Sequence, residues 1–473
     1  MAEPKQHMHT PALFSAQTVP STRQTTGCGS NWQVHNGQHG PTNVSRSGLQ
    51  VSAENRGLLP HSAEQWVTRR AARHGSARPD SLTRAAVANK IRVVRILVLN
   101  WRCIRNPLAG GAEIYLQEVF KRLVDRGHRV TLLCERFPGS CAEEVIDGVR
   151  TIRMGGKWTF NFTAGRHVSR LADEVEADVV VDDLNKIPFY SPWHTKRSVL
   201  ALLMHLFRSS VFRETAAPLA AYVYLTESMI PWAYRNCRFA VLSESSRKDV
   251  VTLGIPAEQV TVIPPGTDLD YFKPREGPGP GDQATSPVIL HVGRLKKYKS
   301  TDHLLRAALR LKEKGRMFRV VIVGTGDDLP RLKALSAKLE LEDRVEFTGF
   351  IPEDEKLRWY QQAVVLTENS VKEGWGLIVL EANACGTPAV VARSPGLVDS
   401  SRDGVNGLMY DYGDIAGLAE RLDRLLADEP LRRKLGQQAV AWAGQWTWDR
   451  AAASMESVLQ QAVAASAHKE SFP

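Results

Sequence analysis

The chain has no apolar run long enough to cross a membrane. A spanning helix needs roughly 20 consecutive apolar residues, and the most apolar stretch, Ser198–Phe207, is far shorter. The N-terminus has no compact apolar core beside a small-residue cleavage site, so no secretory leader is expected. Cysteine is scarce: Cys28, Cys103, Cys134, Cys141, Cys237 and Cys385 form no C-x-x-C pair and no metal-type spacing. They read as reduced thiols of a cytoplasmic protein. Acidic residues are few at the start of the chain: residues 1–90 hold ten Lys or Arg against four acids. That segment accounts for +6 of the formal charge of +10. The remainder is too weakly basic to point to nucleic acid, although a basic tail is compatible with peripheral contact at the inner membrane face.

Residues 1–90 are rich in Ser, Thr, Gln, Asn, His and Gly and show no sustained periodicity, so they are expected to be disordered apart from a short helix over Ser62–Arg73. Order is expected to begin at Val93–Leu99. Alternating apolar strands and helical patterns follow through Gly110–Arg126, Val130–Cys134, Asp178–Val181, Val199–Met204, Phe239–Leu242 and Val260–Ile263. This alternation predicts an α/β domain with a parallel sheet over residues 91–273. The Pro/Gly-rich residues 274–287 read as a linker. A second alternating unit spans 288–445, with strands at Val288–Val292, Arg319–Val323, Arg344–Phe347, Ala363–Leu366 and Ala389–Val391. A last helix is expected over 446–468.

The densest chemistry lies in Glu373-Gly374-Trp375-Gly376-Leu377, which leads through an apolar helical stretch to Glu381 and then to Gly386-Thr387-Pro388. Gly374 and Gly376 let a ligand approach the main chain closely. The helix that begins near Gly376 offers free N–H groups and a positive dipole end to a phosphate. Glu373 precedes that helix and Glu381 lies within it, so the two can reach opposite ends of an elongated ligand such as a sugar nucleotide. Two glutamates at this spacing also fit a plain surface pair. The segment resembles the E-x7-E motif of retaining GT-B glycosyltransferases of family 4, and Gly386-Thr387-Pro388 before an apolar strand fits the same pattern. The resemblance covers about residues 93–465 and is stronger in the second half.

Other motifs fall at strand ends. Gly110-Gly111, before a helix, can turn N–H groups toward a diphosphate; a tight turn is the plainer reading. Gly293-Arg294 ends a strand, and an Arg and a Lys five residues apart, Arg294 and Lys299, can clamp a diphosphate. The resemblance assigns both to that role. Gly324 and Gly326 form part of a dinucleotide fingerprint whose third glycine is replaced by Leu329; the resemblance places this turn beside the nucleotide. It also places Gly349 and Phe350 along the base, although Phe350 equally fits a core position. His205 follows an apolar strand, a common structural position, but many relatives carry a His there that contacts the transferred sugar. Asp182-Asp183 at another strand end reads either as structure or as part of the acceptor side. Asp268-Leu269-Asp270 has the form of a metal-binding D-x-D, but its setting after Pro264-Pro265-Gly266-Thr267 matches an ordinary GT-B segment, so no metal site is expected.

The resemblance implies two Rossmann-like domains facing a cleft, the second holding the donor and the terminal helix crossing back to the first. It implies transfer of a sugar from a nucleoside-diphosphate donor to a hydroxyl acceptor, in envelope glycan or glycolipid synthesis, with no metal cofactor. The acceptor would be a glycan, a lipid-linked sugar or a small molecule. Arg294, Lys299, Glu373 and His205 would act on the reacting groups, with Trp375, Leu377, Glu381 and the glycines named above lining the donor. A sugar-nucleotide epimerase of the same fold and a silent glycan- or protein-binding relative are the alternatives. A nicotinamide-dependent oxidoreductase is disfavoured by the incomplete glycine fingerprint.

Overall fold

The computed structural model describes residues 93–185, 187–213, 215–277 and 286–470. The basic tail with Ser62–Arg73, and residues 278–285 of the expected linker, lie outside them.

The first sheet is built from β1 (Arg95–Leu99), β2 (Arg129–Glu135), β3 (Glu143–Ile146), β4 (Val149–Met154), β5 (Val179–Asp183), β6 (Ser198–Leu203), β7 (Arg238–Val241) and β8 (Val260–Val262). Its order is β3-β4-β2-β1-β5-β6-β7-β8. Every pairing is parallel except β3 with β4. The strands are near-continuous apolar runs because helices cover both faces. On β1, Ile96 and Val98 enter one core while Leu97 and Leu99 enter the other.

The second sheet comprises β9 (Val288–Val292), β10 (Arg319–Val323), β11 (Val345–Gly349), β12 (Val365–Glu368), β13 (Ala389–Ala392) and β14 (Gly407–Tyr410). Its order, β11-β10-β9-β12-β13-β14, is that of a doubly wound dinucleotide fold. The direction of winding reverses between β9 and β12 in this sheet, and between β1 and β5 in the first. Such reversals open a crevice at the strand C-termini.

Three strands escaped the sequence reading. The β3–β4 hairpin turns on Asp147-Gly148, both at positive φ (+47° and +79°), the Asp-Gly signature of a tight hairpin. Strand β14 begins at Gly407 directly after Asn406, a dipeptide that reads as a turn.

The final helix, Trp448–Glu470, packs on the first sheet. Trp448, Met455, Val458 and Leu459 share a core with Ile96, Val98 and Tyr115. Its Glu456 carboxylate meets Arg126 and His128 at 2.9 and 3.0 Å. Where the chain leaves the first sheet, a Cβ on Gly266 would overlap the backbone at Thr447-Trp448, and Thr267 N–H donates to the Trp446 carbonyl. The exit segment at Gly266-Thr267 and the start of the return helix are therefore clamped side by side.

Candidate active site

At the reversal point of the second sheet, the loop after β9 carries Gly293 and Arg294, followed by a 3-10 turn over Lys297–Lys299. Opposite it, β12 ends at Glu368 and runs on to Glu373. The Lys299 ammonium stands 2.8 Å from Glu373 and 3.6 Å from Glu368. Burial alone would lower the Lys299 pKa, but Glu368 and Glu373 raise it. Burial would likewise raise Glu373, and Lys299 instead holds it below the usual carboxylate range. Lys299 and Glu373 thus face each other as an ion pair. Glu368 is fully buried and also accepts a hydrogen bond from the Ser370 hydroxyl. The sequence reading missed Glu368, although its signal was present: an acid closing an apolar strand at the end where ligands bind.

Two helix N-termini meet across this network. Gly376, at φ +107°, caps the helix Leu377–Ala384 in a conformation that a side chain would strain. Gly110 caps the helix Gly111–Asp125, and its N–H donates to the Glu113 carboxylate at 2.7 Å. A Cβ on Gly111 would sit 3.4 Å from the Leu377 side chain, and one on Gly110 would overlap the Arg294 guanidinium. A Cβ on Gly374 would come within 2.9 Å of the Met204 carbonyl at the end of β6. The small residues therefore let the turn at 373–376 approach the first sheet to backbone contact. Lys372 reinforces the approach through an ion pair with Asp249.

His205 lies just past β6, with its ring 4.8 Å from that of Phe207. Burial pushes its pKa down to about 4, with Glu373 opposing and Lys372 adding to the shift. The imidazole is neutral near pH 7 and shares this part of the cleft with Glu373 and Lys299.

The remaining residues separate from this cluster. Glu381 accepts a hydrogen bond from the Tyr360 hydroxyl at 2.7 Å and pairs with Lys356 at 3.1 Å, partners absent from the sequence reading. The Trp375 ring is buried against Trp442, Trp446 and Leu380, so its side chain serves packing. Gly324 and Gly326 are required because a Cβ at either would overlap the Gly293 or Leu295 carbonyl, which brings the turn after β10 against the Arg294 loop. Gly349 ends β11 at φ +74°. Phe350 is 85% exposed, which overturns its reading as a core residue. Asp182 accepts from Ser191 and from the Tyr234 hydroxyl, and so takes the structural alternative. Asp183 is fully buried, and burial followed by Glu113 and Asp182 pushes its pKa well up. Asp268 caps its own turn by accepting from the N–H groups of Asp270 and Tyr271.

Two parallel α/β sheets that meet at their reversal points around a shared cleft define the GT-B class of fold. Residues 109–271 match the family described as Glycosyltransferase Family 4, and residues 275–442 match Glycosyl transferases group 1. A D-inositol 3-phosphate glycosyltransferase from Thermomonospora curvata is 30% identical over 381 residues, covering 72% of this chain and 88% of the relative. The chain therefore belongs to the family 4 (group 1) glycosyltransferases. A protein of the same name from Nocardia farcinica is 34% identical over 221 residues, 44% of this chain and 48% of the relative. The chain spans about half the length of this and similar curated relatives. Sucrose-phosphate synthase from Thermosynechococcus elongatus shares the fold with a TM-score of 0.67 at 22% identity, over 79% of this chain and all of that one. Anabaena HepE, solved with UDP and glucose, does so with 0.61 at 20% identity, over 78% of this chain and all of that one.

Proposed function

We propose that the protein is a retaining glycosyltransferase that moves a sugar from a nucleoside-diphosphate donor to a hydroxyl of an envelope glycan or glycolipid precursor. The observation that carries this reading is the convergence of Arg294, Lys299 and two helix N-termini on one cleft, the arrangement a departing diphosphate requires.

In this reading the donor diphosphate lies between the N-termini at Gly111 and Leu377, with Arg294 and Lys299 against its oxygens. As the glycosidic bond breaks, negative charge grows on the leaving phosphate oxygen. The cations and helix dipoles are already aimed there, so they stabilise that charge with little rearrangement. Glu373 orients sugar hydroxyls, and Lys299 holds its carboxylate in place. Neutral His205 can donate or accept a hydrogen bond to the same sugar. The acceptor attacks on the face from which the diphosphate departs, and the departing oxygen takes the acceptor's proton. Glu381 accepts from ribose through the oxygen that Tyr360 and Lys356 leave free. The names of the relatives, and the UDP and glucose bound by HepE, support a sugar-nucleotide donor.

The test is a panel of sugar nucleotides with candidate acceptors, scored by release of nucleoside diphosphate and by the anomeric configuration of the product in proton NMR. Absence of release with every donor, or an inverted product, would overturn the reading. Because Arg294 and Lys299 supply the positive charge and Asp268 is committed to its own turn, transfer should persist in EDTA. Complete loss in chelator, restored by manganese, would refute that point.

A further inference from the structure

The helix Ala217–Ser228 and the short helix Ile230–Ala233 after it are unusual in their outward face. A surface helix normally turns polar residues outward and buries one apolar stripe. Here Ala220 and Val223 point into the protein, while Leu219, Tyr222, Leu225, Met229 and Trp232 are all exposed. Their spacing of three or four residues aligns them along one side. Leu225 and Trp232 are 62% and 65% exposed. The stripe is extended by Trp193, itself exposed, whose ring meets that of Trp232 at 5.0 Å. Contiguous apolar surface of this kind marks a contact with another phase or partner.

The charge around it selects the occupant. Residues 190–238 contain six Lys or Arg and two acids. Of the acids, Glu227 is buried and accepts the N–H groups of Phe207 and Arg208 at 2.7 Å each. Lys196 and Arg235 are exposed. Arg208 stacks 4.5 Å over Tyr224, on the helix itself. A leucine, methionine and tryptophan stripe flanked by cations matches an anionic bilayer surface: Trp and Tyr settle at the headgroup level, aliphatic groups enter the acyl boundary, and Lys and Arg meet the phosphates. The location adds a reason. The turn Arg208–Arg213 packs against this helix and also lies beside Lys297–Lys299 at the cleft. A membrane seated on the stripe would lie one turn of chain away from the cleft.

We propose that the stripe Leu219, Tyr222, Leu225, Met229 and Trp232 is a membrane-docking surface that seats the protein on anionic lipid beside its active-site cleft. This surface is separate from the donor-binding residues, so it can fail while the proposed transfer stands, and the reverse.

The test uses the full chain, which keeps the basic tail constant. Wild type and the double variant L225Q/W232Q are sedimented with vesicles of phosphatidylglycerol and phosphatidylcholine, and with phosphatidylcholine alone. Wild type is expected to bind the anionic vesicles, more weakly as salt rises, and the double variant to bind them at least tenfold less. R235E should weaken binding to anionic vesicles only. The exposed positions predict an unchanged melting temperature and unchanged nucleotide release from a soluble donor and acceptor. Equal binding by wild type and double variant would assign any membrane affinity to the tail and overturn the proposal. So would no binding by either, or a wild-type dimer in sedimentation velocity that the substitutions dissociate.

Discussion

At Lys299 one ammonium offsets two carboxylates, one of them fully buried, and this separates it from Arg294. Arg294 is exposed, so Arg294→Ala should leave the melting temperature within a degree or two while raising the barrier to transfer by about 2–4 kcal/mol. Lys299→Ala should lose turnover too, but it strands Glu368 and Glu373 and should cost about 3–5 kcal/mol of stability. The sequence alone suggests two equivalent diphosphate clamps whose loss spares the fold. Parallel kcat and melting measurements on the two variants distinguish these pictures, and wild-type kcat in both would place the clamp elsewhere. His205 yields a prediction in pH. Burial depresses its pKa to about 4, so kcat/KM should stay flat from pH 8 through 6 and fall only as pH approaches 4. A limb near 6.5 that vanishes in His205→Asn would contradict this. Between its unfolded value of 6.5 and about 4, the unfolded chain binds a proton that the folded chain refuses. His205 therefore contributes a loss of stability as pH falls through that window.

The elements around the cleft are held by backbone contact more than by side chains. Gly396 sits at φ +84°, where a Cβ would overlap the carbonyl of Glu373. Gly396→Ala should therefore displace the turn at 373–376, lowering stability by about 1–3 kcal/mol and raising the donor KM. Gly404→Ala is the control, since it shares a positive φ but has open space around it. Equal KM effects from both would show that conformational strain, not crowding at Glu373, is responsible. Gly324 and Gly326 teach the same lesson. Their pattern reads as part of a phosphate fingerprint, yet the structure gives each a steric reason of its own: the turn after β10 must touch the Arg294 loop. Periodicity located the long parallel strands because burial on both faces leaves continuous apolar runs. Strand β4 gives no such run because Arg150 and Arg153 interrupt it, and β3 opens on two glutamates. Strand β14 begins at Asn406-Gly407, which reads as a turn. The Asp147-Gly148 turn is the one local mark of the hairpin.

Across the whole molecule, the last helix ties the end of the chain to the first sheet, and Glu456 is its polar anchor. The His128 ring accepts the Val94 N–H at Nδ1, so its Nε2 carries the proton and donates to Glu456. Burial would raise the Glu456 pKa, but His128 and Arg126 hold it below its ordinary value of about 4.5. Its stabilising share is present above that value and is lost as pH falls through the lower, folded pKa. Glu456→Gln should cost about 1–2 kcal/mol near neutral pH and should flatten the acid side of the stability profile. An acid profile identical to wild type would show that the anchor contributes nothing. The sequence by itself determined the α/β class, the two alternating units, the E-x7-E turn and the basic pair Arg294 and Lys299, because each rests on local spacing and composition. Only the tertiary structure decided which groups act together. Glu368 joined Lys299 and Glu373, Glu381 turned to Tyr360 and Lys356, Trp375 went into packing, and the apolar stripe from Leu219 to Trp232 faced outward. Spacing along a chain fixes which side of an element a residue occupies. Which neighbour covers that side is set by strand order and by how closely backbones can approach, and those are properties of the assembled fold.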